Sequence, residues 1–208
     1  PSALKDCEML SQNFHRLIAP VIAMTLVVVA SNILVQYPFT PFNLGDYLTW
    51  GAFTYPVAFL VTDLTNRRYG PRVARQLVIA GFAVAVVLSI WLATPRIALA
   101  SGTAFLVGQL LDITVFNRLR RQTWWRAPLV GSVIGSALDT ALFFSLAFAG
   151  DPDMSGPVTL FGADVMLWQS LAVFDFAVKM LVALVALLPY GALMSIILPM
   201  ERAEKVTV

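Results

Sequence analysis

Five charged side chains interrupt otherwise apolar stretches of this sequence: Asp63, Asp112, Asp139, Asp175 and Lys179. A charge at the centre of a membrane helix costs about 2.5–3.5 kcal/mol on insertion scales, so each needs a partner or a purpose. Asp175 and Lys179 are four apart with the acid first, the favourable arrangement for an ion pair along one helix. Lys179 has the alternative of turning toward Asp139 or a bound solute, because a buried ammonium seeks the best carboxylate in reach. Asp63 sits at the polar end of its stretch, where snorkelling or pairing with Arg67 competes with a functional role. Asp112 and Asp139 have no basic neighbour within one turn and are the strongest functional candidates. Gln109 and Asp112, three apart, set an amide beside a carboxylate on one helical face. That combination suits a planar nitrogen heterocycle: the carboxylate accepts two parallel N–H bonds and the amide answers a neighbouring carbonyl and N–H. Phe105, one turn before Gln109, offers either a stacking face or ordinary packing. Asn32 and Gln36, with Gln169 further along, add uncharged polar groups to the same apolar background. The candidate binding set is therefore Asn32, Asp63, Phe105, Gln109, Asp112, Asp139 and Lys179. The single cysteine, Cys7, forms no internal disulfide or metal cluster by itself, and no metal or other cofactor is expected.

The elements that position these residues are membrane helices. Of 208 residues, 59% are hydrophobic and 12% charged, with a mean hydropathy of +0.79, whereas soluble domains carry about 25% charged residues. Apolar segments fall at 17–37, 48–65, 75–94, 97–117, 128–149 and 167–189, each near the roughly 20 residues that a span requires. The expected fold is an all-α integral membrane protein, a six-transmembrane-helix bundle over 17–198. Segment 1–16 and tail 199–208 are then both cytoplasmic. The first apolar run continues for a full span and reads as a membrane helix, not as a cleavable leader. Among the 14 basic residues, all but Arg96 and Lys179 fall on the side of the N-terminus. They cluster at Arg67, Arg68, Arg72 and Arg75 and at Arg118, Arg120, Arg121 and Arg126, while Asp46, Asp151, Asp153 and Asp164 face the other way. The positive-inside rule explains this distribution better than nucleic-acid binding does. Trp124 and Trp125 fit an interfacial aromatic belt.

The second segment contains Gly51 and Pro56 and ends in Thr62, Asp63, Thr65 and Asn66. It reads as a broken helix lining a cavity or as a packing kink. A short repeat, G-x-x-L-D-x-x-[VL]-F, occurs at Gly108–Phe116 and at Gly135–Phe143. On consecutive antiparallel spans it would bring two carboxylates toward a shared interior. Gly131 and Gly135 form a G-x-x-x-G pair assigned to close helix packing.

Taken in order, these residues resemble one family. Tyr55-Pro-Val-Ala-Phe-Leu-Val-Thr-Asp-Leu-Thr-Asn66, Tyr69-Gly70, Ala104–Phe116, Trp124-Trp125 and Gly135-Ser-Ala-Leu-Asp-Thr140 look like the queuosine precursor transporter family, also described as vitamin uptake transporters. Asn32 falls where that family tends to have a first-span asparagine. The likeness runs from the first span to Lys179. At Arg67 and Arg68 the sequence departs from it, since an acidic residue commonly follows the T-D-L-x-N-like stretch there. The resemblance implies uptake of 7-cyano-7-deazaguanine and 7-aminomethyl-7-deazaguanine across a bacterial cytoplasmic membrane. It also favours standalone action; lipid is the expected surrounding partner, and a homodimer is a candidate assembly.

Two other functions compete. An intramembrane hydrolase would need a base beside its nucleophile, but the only histidine, His15, precedes the first span; an Asp112–Asp139 dyad is the remaining enzymatic alternative. A substrate-binding subunit of an ATP-driven importer would be of similar size; this chain carries no Walker motif of its own. The expected mechanism is alternating access around a midplane site, by facilitated diffusion or with proton coupling through Asp112 or Asp139.

Overall fold

The computed structural model describes residues 2–44, 47–92, 94–160 and 162–194, with side chains described from residue 17 onward except at 43, 89, 90 and 92. The expected cytoplasmic tail 199–208, the end of the expected bundle at 195–198, and Asp46 lie outside these residues. The chain is mostly helical: α1 (Ser2–Leu34), α2 (Gly51–Thr54), α3 (Val57–Tyr69), α4 (Pro71–Leu92), α5 (Pro95–Leu119), α6 (Arg126–Phe148) and α7 (Leu167–Leu193). Helix α1 begins at Ser2, so residues 2–16 extend the first apolar helix.

Five of these helices are long and apolar enough to cross a bilayer: α1 over Leu17–Leu34, α4 over Pro71–Leu88, α5, α6 and α7. Their outward surfaces are apolar, with Ile18, Ile22 and Leu26 on α1 and Leu181, Leu184, Val185 and Leu188 on α7 exposed, while Gln109, Asp112, Asp139 and Lys179 turn inside. That is the reverse of a water-soluble protein and is what lipid requires. The expected second span is realised differently, as the short α2 and the longer α3 on either side of Tyr55 and Pro56. Helix α3, 13 residues long, is too short to cross a bilayer by itself, and its buried positions include the polar Thr62, Asp63, Thr65, Asn66 and Arg67. It packs against α1, α4, α5, α6 and α7, so its polar face is held by protein and not by lipid. The turn into α4 is sharp: Gly70 sits at φ 85°, a left-handed conformation that glycine adopts without strain, and Pro71 opens the next helix with φ already suited to it.

The all-α expectation needs one correction. The connection between α6 and α7 carries an antiparallel hairpin, β1 (Pro157–Leu160) with β2 (Ala163–Met166), paired Pro157 to Met166 through Leu160 to Ala163. Val158, Thr159 and Val165 favour extended backbone, and Gly162 at φ 85° supports the reversal.

The tightest helix pair is α5 with α6, and the short repeat explains why. A methyl group built on Gly108 would lie 3.0 Å from the Asp139 Cβ and 3.1 Å from the Gly135 carbonyl oxygen. One built on Gly135 would lie 3.0 Å from the Gly108 carbonyl oxygen and 3.1 Å from the Asp112 Cβ. Each motif's glycine thus receives the aspartate-bearing position of the other helix, a reciprocal crossing that only small residues allow. At the start of α5, Arg96 donates to the carbonyls of Leu146 at 3.0 Å and Ala149 at 2.6 Å. It thereby satisfies the end of α6 with a cation, as the helix dipole favours. The starts of α5 and α7 and the ends of α1 and α6 therefore share one end of the bundle, and the arginine-bearing turns 66–75 and 118–126 occupy the other.

Candidate functional site

A cavity of about 570 Å³ opens at the arginine-poor end, within the 300–1,000 Å³ typical of small-molecule sites. Its rim includes the exposed Gln36, Tyr47 and Thr94, and its walls come from α1 (Ser31, Asn32), α2 with the residues before it, α5 (Ile97, Ser101, Ala104), α6 and α7. At its floor, buried, are Asp139 and Lys179.

The floor is a compact charge network. The Lys179 ammonium donates to Asp139 Oδ2 at 2.7 Å and to Thr140 Oγ1 at 2.9 Å, and pairs with Asp175 Oδ2 at 2.5 Å. Thr140 donates in turn to Asp175 Oδ2 at 2.7 Å. All three ammonium protons are thereby used, which is what a lysine needs in order to stay charged away from water. Tyr55 Oη lies 3.3 Å from Asp139 Oδ1, and the ammonium lies 5.7 Å from the Tyr55 ring centroid. Two carboxylates against one ammonium leave a net negative charge, and Asp175, with 17% of its side chain exposed, presents it to the cavity. Both alternatives for Lys179 are realised at once, the i,i+4 partner and the carboxylate across the helix interface.

Above the floor, Asn32 donates to the Val28 carbonyl at 2.8 Å, and its side-chain oxygen has no donor among the described residues. Ser31 donates to Thr54 Oγ1 at 3.0 Å, and Thr54 to the Gly51 carbonyl, which ties α1 to α2. Phe143, Phe144 and Phe148 supply an aromatic wall, edge to face among themselves at 5.2 and 5.9 Å.

Of the seven sequence candidates, the structure brings Asn32, Asp139 and Lys179 to this cavity; Asp63, Phe105, Gln109 and Asp112 lie elsewhere. Phe105 is fully buried among Met24, Val28, Leu77 and Val78 and meets Tyr55 edge-on at 6.1 Å, a packing role. Gln109 faces α3, where its carbonyl accepts from Thr62 at 2.6 Å. Asp63 does not snorkel: it is 1% exposed. Nor does it pair with Arg67 among the described residues, since Arg67 donates instead to the Arg120 carbonyl at 2.9 Å. Asp63 lies against Asp112 and Ser132. The two repeat aspartates therefore face different spaces, Asp139 the cavity and Asp112 the α3 interface. Asp175 and Tyr55 were not in the candidate set. The spacing to Lys179 marked Asp175, but nothing local marked Tyr55.

A helical chain with five membrane-length helices around a polar-floored cavity is a multi-pass membrane protein of transporter type. Residues 49–94 and 88–194 match the family model described as "Putative vitamin uptake transporter", and the chain belongs to that family. It is 38% identical over 195 residues to the "Queuosine precursor transporter" of Escherichia coli (strain K12), covering 83% of this chain and 84% of that one. It is 34% identical over 206 residues to the "Probable queuosine precursor transporter" of Haemophilus influenzae, covering 83% of each. A protein of the same name from Bacillus subtilis is 27% identical over 175 residues, 71% of each. No solved structure matches the chain significantly.

Proposed function

We propose that this chain imports queuosine precursors, 7-cyano-7-deazaguanine and 7-aminomethyl-7-deazaguanine, across the bacterial cytoplasmic membrane through the cavity above Asp139 and Lys179. The names of the bacterial relatives support the substrate class. The observation that carries the site assignment is the Asp139–Lys179–Asp175 network at the floor of a cavity of suitable size.

A deazaguanine presents a flat edge with two parallel N–H donors and, beside it, a carbonyl. Asp175 accepts from the N–H edge, the Lys179 ammonium answers the carbonyl once it yields one of its bonds, and the Asn32 oxygen takes a further N–H. The aminomethyl form adds a cation that the net negative floor attracts. The aromatic wall covers the ring face.

The topology follows from the same reading. Helices α2 and α3 together make the sixth span, broken at Pro56 and held inside the bundle. Residues 1–16 and 199–208 are cytoplasmic, the arginine-bearing turns face inward, and the cavity opens outward. Substrate enters from that side and is released inward by alternating access. The chain carries solute and does no covalent chemistry. One chain by itself lines the cavity, so a homodimer is compatible with the mechanism without being required to complete the site.

The test is carried out in cells that neither make nor import these precursors, supplied with each compound at low concentration, with queuosine in tRNA as the readout. The wild-type chain restores queuosine, and Asp139→Asn does not despite normal membrane expression. Correctly inserted wild-type protein that restores nothing with either precursor overturns the substrate assignment.

A further inference from the structure

The second polar cluster lies outside the cavity and no step of solute binding uses it. Asp63 and Asp112, on α3 and α5, lie in side-chain contact, and Ser132 of α6 bonds to Asp63. Both carboxyls are essentially without solvent exposure. Among the described residues, neither Asp112 oxygen has a donor, Asp63 Oδ1 has none, and the buried amides of Asn66 and Gln109, one turn along from Asp63 and Asp112, also keep unpartnered atoms. Gly131 leaves the space that the Asp112 carboxyl fills.

Two carboxylates in contact repel unless a proton lies between them. We infer that Asp63 and Asp112 share one proton and form the site through which solute uptake is coupled to inward proton movement. The groups facing the pair agree with a proton more than with a metal cation. Gln109's carbonyl oxygen is occupied by Thr62 at 2.6 Å and its unpartnered end is the donor nitrogen, which repels a cation. Among the described residues, Lys179 and Tyr190 of α7 line a crevice with Asp63, and Tyr190 lies in turn within electrostatic reach of Arg67 on α3 and Arg120 just after α5. Helices α1 and α4 pack on α3 through the apolar Met24, Val28, Ala74, Leu77 and Val78.

The path is also present. A crevice of about 10 Å³ between α3, α6 and α7 is lined by Asp63, Ser132, Ser136, Lys179 and Tyr190, room for about one water. Lys179 lines both this crevice and the cavity. A proton entering from the cavity passes the Lys179–Asp139 floor to the carboxylate pair and leaves toward Tyr190 and the arginine-bearing end. The pair ends each cycle with the single shared proton it began with.

This inference rests on the transport reading above, and the test separates the two. Purified protein in liposomes is given 7-cyano-7-deazaguanine under an inwardly directed pH gradient. Wild-type protein accumulates it by up to about tenfold per pH unit, the limit for one proton per solute. Asp63→Asn and Asp112→Asn exchange internal for external precursor at the wild-type rate but lose gradient-driven accumulation. Ser132→Ala keeps coupling and shifts its pH midpoint. Infrared spectra at neutral pH supply a readout that needs no substrate: a buried carboxylic-acid C=O band in the wild type, shifted in either Asn variant and missing from the Asp63→Asn/Asp112→Asn double variant. Absence of that band overturns the inference, as does accumulation that ignores the pH gradient or follows sodium, or loss of exchange together with accumulation. If no precursor moves at all, the substrate assignment falls and the infrared band still decides whether the pair holds a proton.

Discussion

Replacing Lys179 with methionine removes the ammonium while retaining most of the side-chain volume, so the result isolates charge from packing. In the wild type the ammonium and the Asp139 carboxylate keep 4% and 3% of their side-chain exposure, and neither bulk water nor salt screens them. Removing one partner of such a pair strands the other and costs about 3–5 kcal/mol. For a chain of this length each kcal/mol shifts the unfolding midpoint by about 2–4 °C, so Lys179→Met is expected to unfold about 6–20 °C below wild type in detergent, followed by tryptophan fluorescence. The added change Asp139→Asn removes the stranded carboxylate, and Asp175 keeps its Thr140 donor and partial exposure. The double variant is therefore more stable than Lys179→Met alone, with a coupling energy of about 1–3 kcal/mol, yet remains without uptake because the floor of the cavity is gone. A Lys179→Met protein as stable as wild type refutes the buried-pair argument. So does a double variant that loses the full sum of the two single changes.

Three further outcomes follow from the same geometry. Asn32→Ala, which removes an acceptor on the cavity wall, raises the apparent KM by up to about tenfold, the equivalent of one hydrogen bond, with maximal rate and membrane expression unchanged. Gly135→Val drives a side chain toward Phe59 Cε1, 2.8 Å from the added Cβ, and the Gly108 carbonyl; it lowers stability by about 1–3 kcal/mol or more. Gly156→Ala, with nothing within 4 Å, serves as its near-neutral control in the same melting assay. In a Cys7→Ser background, Asp153→Cys reacts with a membrane-impermeant thiol reagent added to intact cells and Gln122→Cys does not; the opposite pattern inverts the topology.

The membrane helices were legible because hydropathy and length alone specify them, and the irregularity near Pro56 because proline and the polar run after it mark it, although a cavity-lining break and a packing kink stayed equally open. The i,i+4 pairing of Asp175 with Lys179 is a property of one helix and could be read from spacing. The bond from Lys179 to Asp139 depends on how α6 and α7 are rotated against each other, which no spacing within either helix encodes. The repeat misled for a definite reason. Antiparallel copies of G-x-x-L-D place each aspartate against the other copy's glycine, so the carboxylates end on different sides of the crossing and not in one interior. The hairpin after α6 escaped notice because its strands are four residues long, too short for alternation to stand out. Tyr55 joined the site only through the break that turns it toward Asp139, a consequence of three-dimensional packing.

The proposal that this chain alone carries 7-deazaguanines through the cavity above Asp139 and Lys179 is put to the test by uptake of labelled 7-cyano-7-deazaguanine into liposomes containing only this protein and phospholipid. Uptake is expected to be saturable, competed by the unlabelled 7-aminomethyl form and abolished by Asp139→Asn. Uptake no greater than in protein-free vesicles, from protein shown to be folded, contradicts it.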